Sequence, residues 1–117
     1  MNNREKGAIG EIIALKYLKK QGYKIVTTNY RASKVAEIDI IAKDKDILVF
    51  VEVKMRYSTF AGYGREAVTK QKQQHIRFAA THYLTTKVKK EVPLRFDVIE
   101  ITLLGDEPAI ELIQNAF

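Results

Sequence analysis

Two charged residues, Glu52 and Lys54, interrupt the apolar run "ILVFVEVK" over residues 47–54, and two acids, Glu37 and Asp39, stand on the segment before it. Burying such charges is expensive unless something compensates them. Carboxylates held close together also resist joint ionisation. A hard divalent cation removes both difficulties: Mg²⁺ takes oxygen ligands, keeps several waters and needs only one or two protein carboxylates. Lys54, two residues beyond Glu52, would then stand beside the metal. A metal that activates water and a cation that meets developing negative charge are what hydrolysis of a phosphodiester requires. The bland alternative is a surface ion pair, since E-x-K is common in strands and such pairs contribute little. The apolar neighbours argue against it. Leu48 and Phe50 share the face of Glu52, while Ile47, Val49, Val51 and Val53 line the other, the signature of a strand covered on both sides.

These side chains can meet only if the strands are in register. A two-residue loop at Asp44 and Lys45 would pair Ala42 with Ile47, set Asp39 opposite Phe50 and set Glu37 opposite Glu52. Side chains alternate with period two, so Glu37, Asp39, Glu52 and Lys54 would emerge on one face, with Asp39 and Glu52 as diagonal neighbours. A slip of one residue would separate them.

The rest of the chain supplies the scaffold. Residues 3–21 read as a helix, with Asn3 as a cap and Gly22 at its stop. Gly7, Ala8, Ala14, Leu15 and Leu18 fall on one stripe, with Glu11 in its middle. "YKIVTT" is a strand, "NYRASKVA" a loop, and "EIDIIAK" and "DILVFVEVK" two further strands. Residues 55–65 form a loop with Gly62 and Gly64. A second helix covers roughly residues 69–85, capped by Thr69, with Ile76, Ala79, Ala80 and Tyr83 inward. "LRFDVIEITL" and "AIELIQ" complete the order α-β-β-β-α-β-β, a single α/β domain with a mixed central sheet flanked by helices.

Other residues carry weaker signals. Lys72 lies one turn before Ile76 and points toward a phosphate site or snorkels at a helix start. Asp97 reads as a structural partner of Arg95 or Lys72. His75 and His82, seven apart, miss the i, i+4 spacing of two metal ligands on a helix. In the loop, Arg56 and Arg65 bracket Tyr57, Phe60 and Tyr63; basic and aromatic residues interleaved in this way suit a nucleic-acid strand, or else cap the core. The formal net charge of +6 over 117 residues permits a polyanionic partner. The absence of cysteine removes disulfides and thiolate metal sites and fits the cytoplasm. No apolar run approaches the roughly 18 residues of a membrane span, and "MNNREKGAIGE" lacks the apolar core of a signal peptide.

Glu11 in a first helix, Asp39, and "EVK" at Glu52–Lys54 resemble the PD-(D/E)xK nuclease superfamily, whose restriction-endonuclease-like core has the same element order. More closely, "GAIGEIIALKYLKKQGYKIVTTNYR", "EIDIIA", "LVFVEVKMR", "AVTKQKQQHI" and "RFDVIEI" resemble the YraN-like family of predicted endonucleases, over nearly the whole chain. The resemblance implies Asp39, Glu52 and Lys54 as the core triad. The Val53 carbonyl would be a further ligand of Mg²⁺ or Mn²⁺. Glu11 would serve as the helical acid, acting through water or at a second site. Glu37, two residues before Asp39 on the same face, reads apart from the resemblance as a ligand of a second metal or as a charged strand end near solvent. Two departures stand out: Ile38 takes the place of the superfamily's Pro before the Asp, and Ala36 that of the Gly in the family's "GEID". The expected activity is metal-dependent cleavage of nucleic acid by an endodeoxyribonuclease, with branched or single-stranded DNA as substrate. Arg56, Tyr57, Arg65 and Lys72 would contact the nucleic acid. The competing readings are a nucleic-acid-binding module of the same fold that does not cut, and an assembly partner, a homodimer paired through an edge strand.

Overall fold

The computed structural model describes residues 3–56, 68–103 and 105–117. The side chain of Asn3, and with it the expected helix cap, lies outside the described residues. So does the loop carrying Tyr57, Phe60, Tyr63 and Arg65.

The element order is α1 (Asn3–Lys20), β1 (Lys24–Arg31), β2 (Glu37–Asp44), β3 (Ile47–Arg56), α2 (Lys70–Tyr83), a π-helical turn (Leu84–Val88), β4 (Leu94–Thr102) and β5 (Ala109–Ile113). The five strands form one mixed sheet in the order β1-β2-β3-β4-β5. All neighbours are antiparallel except β3 and β4, which run parallel. A parallel pair needs a long crossover, and α2 lies within it.

Helix α1 closes with Gly22 at φ +92°. The Tyr23 N–H donates to the Leu18 carbonyl and the Gly22 N–H to the Lys19 carbonyl, the bonds of a Schellman cap. The buried stripe of α1 runs Gly10, Ala14, Leu18. Gly7 and Ala8, expected on that stripe, are exposed, and Gly10 takes their place. A side chain at Gly10 would force Met55 of β3 to move, because an added Cβ would stand 2.3 Å from its sulfur. Helix α2 starts where Thr69 accepts from the Lys72 N–H. It buries Ile76, Ala79 and Ala80 as expected.

Each helix covers one face of the sheet. Ala14 and Leu18 of α1 pack with Ile40, Ala42, Val49, Val51, Ile99 and Ile101. Ile76, Ala79 and Ala80 of α2 pack with Ile41, Leu48, Phe50, Phe96 and Val98. Strand β3 therefore sends alternate residues into two separate cores, as its two-sided apolar pattern indicates.

Three expectations need correction. The β2–β3 turn is Lys45–Asp46, not Asp44–Lys45. Asp44 pairs with Ile47, Ala42 with Val49 and Ile41 with Phe50, a register two residues from the expected one. Lys45 adopts φ +57°, which allows so tight a turn. Second, β1 continues through Asn29–Arg31, a stretch expected to be loop. Asn29 sits at φ +53°, a left-handed residue inside a strand, and Asn tolerates that conformation better than most. Third, strict alternation fails at Asp39. Ile40 packs on the α1 side, whereas Ile38 and Ile41 both belong to the α2-side core.

Candidate functional site

The break at Asp39 has a physical cause. The β2–β3 ladder ends, on this side, at the pair Ile40 and Val51. Beyond it, the Asp39 carboxylate takes over the role of backbone, and its Oδ2 accepts the Val53 N–H at 2.8 Å. Asp39 is thus fastened to the peptide just after Glu52.

Glu52 continues the alternation of Leu48 and Phe50 and lies on the α2 side. Only 6% of it is exposed. One of its oxygens, Oε1, stands 3.8 Å from the Lys72 ammonium at the start of α2. The other, Oε2, is buried with no hydrogen-bond partner among the described residues. An orphaned buried carboxylate oxygen costs free energy and calls for an explanation. Burial, and then the neighbouring Asp39 charge, push the Glu52 carboxyl from 4.5 up to about 7. Lys72 and Lys54 pull in the opposite direction. Asp39 is also raised, first by burial and further by Glu37 and Glu11, with the Val53 N–H and Lys72 opposing. Asp39, Glu52, Lys54 and Lys72 therefore share one electrostatic environment.

Glu11 reaches the same region from α1. Its two oxygens are held by the Asn29 amide at 2.9 and 3.1 Å. The left-handed turn at Asn29 thus presents a side chain that clasps the helical acid. Sequence reasoning misses Asn29, although an Asn within "VTTNY" is an unusual strand residue and a usable signal. Glu37 is paired across the β1–β2 ladder with Arg31, which engages it as an ion pair. Among the described residues, no three carboxylate or histidine groups converge as one ligand cluster. The arrangement is a close pair, the buried Glu52 and the half-buried Asp39, with two outer acids already held by their own partners.

Arg56 is placed differently from expectation. Its side chain is only 9% exposed, and its Nε lies 3.1 Å from Oε2 of Glu100. It ties β3 to the buried Glu100 of β4 instead of facing a phosphate in solvent. Glu100 is the main residue that sequence reasoning misses. It stands directly across the parallel ladder from Lys54. An acid inside the apolar run "DVIEI" carries the same signal as Glu52 does in its own strand.

On the α1 side lies a second polar group, built as structure. Asp97, fully buried, accepts from the Tyr23 hydroxyl at 3.0 Å, from Arg95 at 2.9 and 3.2 Å, and from the Asn115 N–H at 3.0 Å. Arg95 also donates to Asp44 at 2.9 Å, and Gln114 donates to the Tyr23 hydroxyl at 2.8 Å. Asp97 thus has the structural role expected of it, with Arg95 as partner. Of the two histidines, His82 contacts the Tyr30 hydroxyl and ring.

Residues 10–101 match the model of the uncharacterised protein family UPF0102. A UPF0102 protein of Clostridioides difficile is 47% identical over 117 residues, spanning the whole of both chains. One from Acetivibrio thermocellus is 45% identical over 121 residues, covering 99% of this chain and 93% of its own. One from Clostridium botulinum is 46% identical over 118 residues, covering 98% and 95%. Asp39, Glu52 and Lys54 all fall inside the matched span, and on this footing the chain belongs to the UPF0102 family.

Proposed function

We propose that this protein is a metal-dependent phosphodiesterase of nucleic acid, an endonuclease of restriction-endonuclease-like architecture acting on DNA in the cytoplasm. The observation that carries the reading is Glu52. A carboxylate buried beside Asp39, with one oxygen unpartnered among the described residues, is an unfavourable arrangement that a divalent cation would relieve. Asp39 and Glu52, with the Val53 carbonyl, would hold Mg²⁺ or Mn²⁺, hard cations that take oxygen donors. When bound, such an ion supplies Lewis acidity and lowers the pKa of water.

The chain's own residues supply the remainder. Hydrolysis joins a water oxygen to phosphorus and breaks the bond to the leaving sugar oxygen, with negative charge growing on the phosphoryl oxygens. Lys54, on the next same-face position after Glu52, meets that charge. Lys72, two-fifths exposed, offers a phosphate contact at the mouth of the site. Glu100 and Arg56 lock β3 against β4 beside Lys54 and hold its strand in place. Asn29 fixes the direction of Glu11.

The Lys72–Glu52 contact also supports a second reading, a nucleic-acid-binding module that does not cut, in which Lys72 serves as the permanent counter-ion. A panel of duplex, flap, single-stranded and four-way DNA, incubated with Mg²⁺, Mn²⁺ or EDTA, separates the two. Cation-dependent cleavage that Asp39→Asn and Glu52→Gln abolish supports the enzyme. Binding without cleavage under all conditions supports the module.

A further inference from the structure

At the opposite end of β2 and β3 from Asp39 and Glu52, beside the Lys45–Asp46 turn, the α2 face opens into a cleft of about 670 Å³. That volume lies within the range of small-molecule sites, roughly 300–1,000 Å³. Its wall is apolar, formed by Leu48, Tyr83 and Val88. Lys24, Lys43 and Lys90 stand at it.

Two features of the fold concentrate charge there. Lys24 and Lys43 are direct cross-strand partners in the β1–β2 ladder. Like charges placed opposite each other are destabilising, and among the described residues neither lysine is in an ion pair. The third lysine arrives through irregular backbone. After α2 the chain passes through the π-turn at Leu84–Val88, and Lys89 then turns it at φ +61°. Those two irregularities bring Val88 and Lys90 to the cleft together. Two carboxylates, Asp46 and Glu91, complete the rim and are likewise outside any ion pair among the described residues.

The three chemistries select one ligand class. Lysines at a like-charged pair take an anionic head group, the apolar wall takes a flat hydrophobic body, and the carboxylates accept from hydroxyl or amino donors. A simple phosphate leaves the wall unused, and a fatty acid leaves the carboxylates unused. We infer that this cleft is a binding site for a nucleoside monophosphate, with phosphate on Lys24, Lys43 and Lys90, base against Tyr83 and Val88, and sugar or base donors on Asp46 and Glu91. The site is separate from Asp39 and Glu52 and is independent of whether the chain cuts nucleic acid.

The test is titration by amide NMR and calorimetry with adenosine monophosphate, adenosine and inorganic phosphate. Adenosine monophosphate should shift amides around Lys43, Leu48 and Val88. Adenosine and phosphate should each bind at least about tenfold more weakly. Lys43→Glu should weaken nucleotide binding at least about tenfold while leaving the fold as stable or more so, since it sets a carboxylate opposite Lys24. Lys19→Glu on α1, with the same change in net charge, should bind as wild type does. Glu52→Gln should also bind normally, which keeps this site distinct from the metal-dependent reading. The proposal is overturned if inorganic phosphate binds as well as the nucleotide, if Lys19→Glu weakens binding as much as Lys43→Glu, or if no shift reaches the cleft at millimolar nucleotide.

Discussion

Replacing Glu52 by glutamine should flatten the dependence of folding stability on pH. In the folded chain the Glu52 carboxyl is raised from 4.5 to about 7. Below pH 4.5 the proton is held in both states and burial costs little. Between pH 4.5 and about 7 the unfolded chain releases its proton first, so stability falls as pH rises through that window. At about 1.4 kcal/mol per pH unit, the loss is about 3 kcal/mol. For a chain of this size that corresponds to a fall of roughly 10 °C in Tm. The glutamine side chain has no charge to bury. Any packing cost of its amide is the same at every pH and cancels in the slope, and the attraction of Lys72 for the ionised acid is already contained in the raised pKa. Guanidinium denaturation from pH 4.5 to 8 in EDTA should therefore show wild type losing about 3 kcal/mol more than the variant. Mg²⁺ or Mn²⁺ at pH 8 should return much of that stability to wild type and none to the variant, since a ligand at 100 times its Kd adds about 2.7 kcal/mol. Parallel curves for the two proteins across the window would refute the claim that Glu52 is buried as an acid whose charge Lys72 only partly offsets.

On the proposed nuclease reading, Lys54→Ala should bind DNA nearly as wild type does and cut it at least about a hundredfold more slowly in single-turnover assays, because the proposed contact forms with the transition-state charge. Tyr23→Phe removes the hydroxyl that bridges Asp97, Arg95 and Gln114, and should lower stability by about 1–3 kcal/mol in denaturant titrations. Gly10→Ala should destabilise by about 1–3 kcal/mol through its clash with Met55. In the Gly10→Ala/Met55→Ala double variant the two costs should fail to add, as a double-mutant cycle will show.

Much of this architecture is legible in the sequence, for reasons that also explain the misses. Glu52 stands out because an acid within a two-sided apolar strand has few innocent explanations. The same rule applied to "DVIEI" finds Glu100. The expected β2–β3 register lies two residues from the observed one, yet it still brings Asp39 and Glu52 together, because a slip of two preserves the face. What fixes the register is the left-handed Lys45, and nothing in "KDKD" announces it as Asn-Gly would. The Asp39 break is equally silent, since it arises where two strands part. The partners of the long cationic side chains lie far along the chain. Lys72 finds Glu52 and Arg56 finds Glu100 only after the crossover has closed, so no local pattern encodes either pairing.

The parallel β3–β4 pair has a consequence for the order in which the molecule assembles. The β2–β3 hairpin is local and can form in about 1–10 μs. Pairing Leu48 with Leu94 must first close a long loop, and such non-local contacts form slowly. The two acids, Asp39 and Glu52, are therefore brought together early, by a hairpin of their own, while Lys72 waits on the docking of α2. During that interval their repulsion opposes the hairpin that creates them. Refolding should accordingly be faster in mild acid than at pH 8, and divalent cations should accelerate it before the parallel strand arrives.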